Sequence, residues 1–129
     1  MVIIDTSAWI EYFRDGVASV VDKVEHHLDM ELVGIGDLIY CEVLQGISSV
    51  REKREVSELL LSLPQYGMVC FHMAGRSADN YNMLRTRGVT VRKTIDVLIG
   101  TFCAEHDFGI IHNDRDFDAM AKHIGLKVL

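Results

Sequence analysis

The chain has 129 residues, 49% of them hydrophobic and 25% charged, with a formal net charge of −6. That length allows one domain, residues 1–129, and excludes two; a domain of this size buries roughly two-thirds of its unfolded surface, so its core needs no staples. The negative balance argues against a uniformly basic face for nucleic acid, but leaves open a site whose acids hold a metal while local basic patches hold phosphate.

In chain order, Val2–Ile4 reads as a short apolar strand. Thr6 or Ser7 then caps a helix through Tyr12, closed by Asp15-Gly16. Val17–Met30 places apolar residues at 17, 20, 21, 24 and 28, a helical period. Leu32–Ile35 is a second strand, and Gly36-Asp37 opens a helix from Leu38 to Ile47. A charged helix, Val50–Leu63, stops at Pro64, the only proline. Met68–Phe71 is expected as the third strand, and Ser77–Arg87 as a helix ended by Gly88. Thr94 caps an apolar helix from Ile95 to His106, Gly109–His112 forms a fourth strand, Asp116–Ile124 a last helix and Leu126–Leu129 a final strand.

No repeat, linker or low-complexity segment interrupts this alternation. The amino terminus lacks a basic region before its apolar run, so no signal peptide is expected. No apolar stretch approaches the roughly 18 residues of a spanning helix. Cys41, Cys70 and Cys103 are scattered among apolar neighbours, the pattern of buried free thiols in a reducing compartment. A cytoplasmic protein with no membrane association is expected.

Strands alternating with helices imply an α/β fold, its mostly parallel sheet covered on both faces, with ligands gathering at the carboxyl ends of the strands. Asp5 directly follows the first strand, and Asp114 follows the fourth. Asp96 lies in the first turn of a helix, 18 residues before Asp114. A helix of roughly 18 Å at 1.5 Å per residue, then a returning strand, brings Asp96 and Asp114 to the same end. Glu42 sits about one turn into the helix after the second strand. Individually each acid has a structural reading: a helix cap, a dipole partner, a surface residue or a turn residue. Together, single carboxylates inside the apolar turns Tyr40–Leu44 and Ile95–Ile99 need a partner, and too few bases lie near to supply four salt bridges. A shared cation bound only by oxygen suits Mg²⁺ or Mn²⁺ better than zinc.

The segments Val2-Ile3-Ile4-Asp5-Thr6-Ser7-Ala8-Trp9-Ile10, Glu42-Val43-Leu44-Gln45-Gly46, Thr94-Ile95-Asp96-Val97-Leu98-Ile99 and Asn113-Asp114-Arg115-Asp116-Phe117 resemble PIN-domain motifs, in particular those of VapC-type toxins of toxin–antitoxin pairs. The resemblance runs end to end and implies a three-layer α/β/α fold with a twisted sheet. It also implies a Mg²⁺- or Mn²⁺-dependent endoribonuclease that cuts RNA, such as a transfer-RNA loop, by metal-activated water. A homodimer and a cognate VapB-like antitoxin, covering the early helices around Trp9, Tyr12 and Phe13, belong to the same expectation. On that resemblance Asp5, Glu42, Asp96 and Asp114 are the catalytic acids. Asp5, Asp96 and Asp114 are the main metal ligands, with Asp116 a further acid near the metal. Thr6 and Ser7 match the polar residues that orient the first acid.

Arg85, Arg87, Arg92 and Lys93 precede Asp96, and Arg115 separates two acids; each is a candidate RNA contact or a solvated charge. Arg51, Lys53 and Arg54 alternate with Glu52 and Glu55, as on a helix face laced with ion pairs. The six histidines show no ligand spacing, and His112 reads as a strand-end core residue. The competing functions are a non-catalytic PIN-like binding module, a haloacid-dehalogenase-type phosphatase and a phosphoacceptor receiver domain. The phosphatase needs an acid at position 7, where Ser7 stands, and the receiver needs paired acids after the first strand.

Overall fold

The computed structural model describes residues 1–129. Its strands are β1 (Val2–Ile4), β2 (Val33–Gly36), β3 (Gln65–Tyr66), β4 (Gly109–Ile111) and β5 (Lys127–Val128). The helices are α1 (Thr6–Phe13), α2 (Ala18–Asp29), α3 (Asp37–Gln45), α4 (Val50–Leu61), α5 (Phe71–Thr86), α6 (Thr94–Glu105) and α7 (Arg115–Ile124). The strands form one sheet in the order β3-β2-β1-β4-β5, and every neighbouring pair is parallel. Helices pack on it to give the three-layer α/β/α arrangement, with α1 against α2 and α3, and α6 against α5 and α7.

The two central strands explain themselves by burial. Ile3, Ile4, Ile110 and Ile111 are sealed from solvent, as β-branched residues covered on both faces of a parallel sheet should be. Ala8 and Trp9 of α1, Ile99 and Cys103 of α6, and Phe117 and Met120 of α7 close over them. Because β1 and β4 lie side by side and in register, Ile4 opposite Ile111, the residues that follow them emerge together at one edge. Asp5 is tied there by its own N–H, which donates to the Ile111 carbonyl at 2.9 Å.

The third strand departs from expectation. The apolar run Met68–Phe71 supplies no strand; β3 is Gln65–Tyr66, paired with Ile35 and Gly36. Gly34 and Gly36 leave room for Tyr66 and Met68, whose side chains a Cβ at either glycine would overlap. Beyond Tyr66 the chain leaves the ladder, because the Met68 N–H donates to the Asp37 carboxylate at 3.0 Å instead. Only Met68 of that run enters the core; Val69 is half exposed and Phe71 fully exposed. The next helix consequently starts at Phe71, six residues before the expected Ser77, with Cys70 as its cap.

Helix starts also shift. Asp5, not Thr6 or Ser7, caps α1; Lys93, not Thr94, precedes α6; and Asp114 caps α7. The thiols divide. Cys103 is buried, and burial pushes it up to about 12, whereas Cys41 and Cys70 are exposed, contrary to the reading of three buried cysteines. All three are free. Trp9 is wholly buried, stacked on Phe13 at 5.5 Å, so it offers no surface to a partner. His112 keeps only 7% of its side chain exposed, in line with the core reading. No helix is long and apolar enough to cross a membrane.

Candidate active site

The carboxyl ends of β1 and β4 and the amino ends of α6 and α7 meet at one place. Asp96, Asp114 and Asp116 each offer a carboxylate oxygen there, all within 4.8 Å of one another. Two of these come from a single turn. Asp114 is the cap of α7, its Oδ1 accepting the Asp116 N–H at 3.0 Å, so an Asp-x-Asp spacing at a helix start aims both acids at one point. Asp96 sits in the first turn of α6, where the unpaired amides favour negative charge.

Asp5 stands outside that closest trio but acts on it. It is 4% exposed, and burial raises its carboxyl above the ordinary carboxylate range, with Asp114 adding repulsion. Its Oδ2 accepts from the Ser7 N–H at 3.0 Å and from the Ser7 hydroxyl at 2.6 Å, while its Oδ1 is buried with no partner. Asp96 is raised as well. Burial, then the charges of Asp5 and Asp114, lift it to about 7, and its Oδ2 is likewise buried and unpartnered. Two buried carboxylate oxygens without donors beside two further acids form an arrangement that an apolar core would not keep.

Glu42 is more loosely attached. It is half-buried on α3, its Oε1 accepting the Thr6 hydroxyl at 2.9 Å. Burial raises its carboxyl, Asp5 adds to the rise, and Thr6 and Lys93 oppose it. Thr6 and Ser7 therefore hold one acid each, and neither caps α1. Asp116, expected only as a further acid near the metal, belongs to the tightest group, and Glu42 lies outside it. The Asp114-x-Asp116 spacing carried that information once Asp114 was recognised as a helix cap.

The basic candidates separate. Lys93 is the one whose charge reaches the acids, lowering both Asp96 and Glu42. Arg115 lines a polar cavity of about 390 Å³ with Lys23, His112, Asp114 and Asp118, directly beside the acids. Arg85 lies over the Tyr81 ring at 5.8 Å and Arg87 contacts His123 at 3.4 Å, so both are engaged along α5. Arg92 is exposed. Sequence reasoning passed over Asn113 and Glu11. The Asn113 N–H donates to the Ser7 oxygen at 2.9 Å, and its side-chain amide reaches Glu11 at 3.3 Å.

All-carboxylate donors, two of them with an orphaned buried oxygen, fit a hard divalent cation such as Mg²⁺ or Mn²⁺, with no histidine or thiolate in the group to favour zinc.

The PIN domain family model matches residues 2–123. The VapC ribonuclease Mb1587 of Mycobacterium bovis is 32% identical over 129 residues, covering 98% of this chain and 96% of its own. Ribonuclease VapC11 of Mycobacterium tuberculosis matches to the same extent. Among solved structures, VapBC2 from Rickettsia felis, bound to a promoter DNA fragment, superposes with a TM-score of 0.76 at 14% identity, over 100% of this chain and 98% of that one. FitAcB from Neisseria gonorrhoeae gives 0.74 at 17% identity, over 100% and 96%. At such identities the structures speak for the fold, while the family match and the full-length relatives speak for descent. With its motifs, sheet order and acid cluster in agreement, this chain belongs to the PIN-domain family, among its VapC-type members.

Proposed function

We propose that the protein is a metal-dependent endoribonuclease, the toxin of a toxin–antitoxin pair, acting in the cytoplasm as one nuclease domain. The observation that carries the reading is the acid cluster: three ligand oxygens within 4.8 Å, with Asp5 and Asp96 each holding a buried carboxylate oxygen that has no donor. Asp5, Asp96, Asp114 and Asp116 would hold Mg²⁺ or Mn²⁺, with Glu42 at the margin. When bound, such a cation lowers the pKa of a water and offsets the charge that builds on the phosphoryl oxygens during in-line displacement.

The chain's own groups supply the rest. Ser7 fixes the Asp5 carboxylate through two hydrogen bonds, and Thr6 fixes Glu42 through one. The α6 amino terminus and Lys93 favour the charged form of Asp96 against the repulsion of its neighbours. The exposed Arg92, Lys93 and Arg115 would contact phosphates of the RNA backbone, and Arg85 and Arg87 would extend basic charge along the end of α5. RNA is the substrate, with structured loops such as those of transfer RNA the first class to examine. The chain acts as a homodimer.

The names of the full-length relatives support the ribonuclease reading; the toxin–antitoxin complex from Klebsiella pneumoniae, with a TM-score of 0.73 at 17% identity, supports an antitoxin partner, and the VapBC2 structure supports one of VapB type. A groove formed by Ile10, Phe13, Arg14, Glu42, Val43, Gly46, Ile47 and Glu52 runs from apolar residues to the margin of the acid cluster. Its mixed lining suits an amphipathic antitoxin segment. Protein freed of antitoxin, incubated with total cellular RNA and Mg²⁺ or Mn²⁺, is expected to release fragments with 5′-phosphate and 3′-hydroxyl ends, and to stop on addition of EDTA. Ends carrying a 2′,3′-cyclic phosphate would mean attack by the ribose hydroxyl and overturn the proposal.

A further inference from the structure

We infer that Asn113 and Glu11 form a positioning clip that sets the spacing between Asp5 and Asp114, and with it the affinity of the acid cluster for a divalent cation. The inference rests on the reading of that cluster as a metal site. Asp114 lies on no strand. It follows the end of β4 by three positions, so its place depends on what holds the intervening His112 and Asn113.

Asn113 is held twice, and both times by α1. Its N–H donates to the Ser7 oxygen at 2.9 Å, and the same Ser7 hydroxyl donates to Asp5 Oδ2 at 2.6 Å. Its side-chain Nδ2 donates to Glu11 Oε1 at 3.3 Å, at the long end of the usual range. Ser7 and Glu11 are four residues apart, one helical turn, and therefore share an edge of α1. Backbone and side chain of one residue thus span that edge, joining the loop that carries Asp114 to the helix that starts at Asp5.

The far anchor is stiff. Glu11 is 4% exposed, accepts the Val17 N–H at 2.8 Å and pairs with the Arg14 guanidinium. A Cβ at Gly16 would overlap Oε2, so a larger residue there would displace the Glu11 carboxylate. Those partners hold its carboxyl below the usual range, the Val17 amide first. Glu11 is a charged acceptor fixed by the α1–α2 turn, and its one hydrogen bond toward the acid cluster passes through Asn113.

Outer groups that orient ligand-bearing residues typically set metal affinity over about 10–100-fold. The test measures Mn²⁺ affinity from the electron paramagnetic resonance of free Mn²⁺, beside the melting temperature of the metal-free protein. Wild type, Asn113→Ala, Glu11→Ala, Glu11→Gln and the double alanine variant are compared. Asn113 is exposed, so Asn113→Ala should melt with wild type yet bind Mn²⁺ about 10-fold more weakly. Glu11→Gln, which keeps an acceptor for Asn113, should bind close to wild type. The double variant should bind no more weakly than Glu11→Ala, because both changes cut one link. Wild-type affinity in Asn113→Ala would overturn the clip while leaving the metal site standing. Failure of wild type to bind Mn²⁺ would overturn the metal-site reading and the clip with it.

Discussion

Asp5 and Glu11 have the same small solvent exposure, 4%, and lie six residues apart at the start and within the body of one helix, but Asp5 sits deep among packed atoms and Glu11 near the surface, and they are opposite in character. Glu11 has a full set of partners, Arg14, the Val17 amide and Asn113, and its carboxyl titrates low. Asp5 is held chiefly by Ser7, with an orphaned Oδ1 and acidic neighbours, and burial raises its carboxyl. Asp96 shares that deficit. Low exposure alone therefore does not separate these two acids; what separates them is depth and whether the fold itself completes the coordination. Around Glu11 it does. Around Asp5 and Asp96 it stops short, and the remainder fits a ligand from outside.

The sharpest way to break this comparison is to neutralise one acid from each region. Asp96→Asn should lower RNA cleavage by more than about 100-fold, beyond the range seen for outer groups alone, because an amide is a poor ligand for a hard cation. Glu11→Gln should cost far less activity but lower the melting temperature, since it discards the Arg14 pair. A cleavage assay on both variants, corrected for folded fraction, compares them directly. If Glu11→Gln is the more damaging to activity, the division between the regions fails.

A second test uses pH on the metal-free protein. Asp96 titrates near 7 when folded and near 3.8 when unfolded, so the folded state holds the extra proton between those values. Stability attached to Asp96 is thus full below about pH 4 and is lost as pH rises through 7, on the order of a few kcal/mol before neighbouring charges readjust. Glu11 has the opposite sign: its carboxyl is depressed, so its contribution is present at neutral pH and is lost as pH falls through the folded value. Melting temperatures from pH 4 to 8 should fall toward neutrality in wild type and fall less in Asp96→Asn, where the raised Asp5 and Glu42 carboxyls still titrate. A wild-type profile that rises steadily to pH 8 would remove the charge repulsion from the account.

The smallest effect belongs to a region of neither kind. The Arg51–Glu55 pair on α4 is 3.2 Å long and largely in water. Arg51→Ala should change stability by less than about 0.5 kcal/mol and leave cleavage unchanged unless α4 touches RNA. Salt-dependent loss of RNA affinity in that variant would extend the substrate surface to α4.

Much of this contrast was legible in the sequence where local rules and packing agree. β1 and β4 are short β-branched runs, with Asp5 directly after the first and Asp114 three positions after the second, and their parallel adjacency follows from the alternation of strands and helices. Asp5, Asp96 and Asp114 could be brought to one end by counting residues. The Met68–Phe71 run misled because apolar composition does not reveal that Asp37 intercepts the Met68 amide and turns the chain out of the sheet. Cys41 and Cys70 misled similarly, since apolar neighbours in sequence lie on other faces of a helix or a turn. The Glu11–Asn113 contact joins residues 102 positions apart, and no local pattern encodes it.

The central claim, that the acid cluster is an incomplete site finished by a divalent cation, is tested most directly by melting wild type and Asp96→Asn at pH 7.5 with and without saturating Mn²⁺. Wild type should gain stability with metal, about 2.7 kcal/mol at a hundredfold excess over its dissociation constant. Asp96→Asn should start at or above the metal-free wild type and move far less. A variant that melts below metal-free wild type, beside a wild type indifferent to Mn²⁺, would make Asp96 a structural acid and contradict the account.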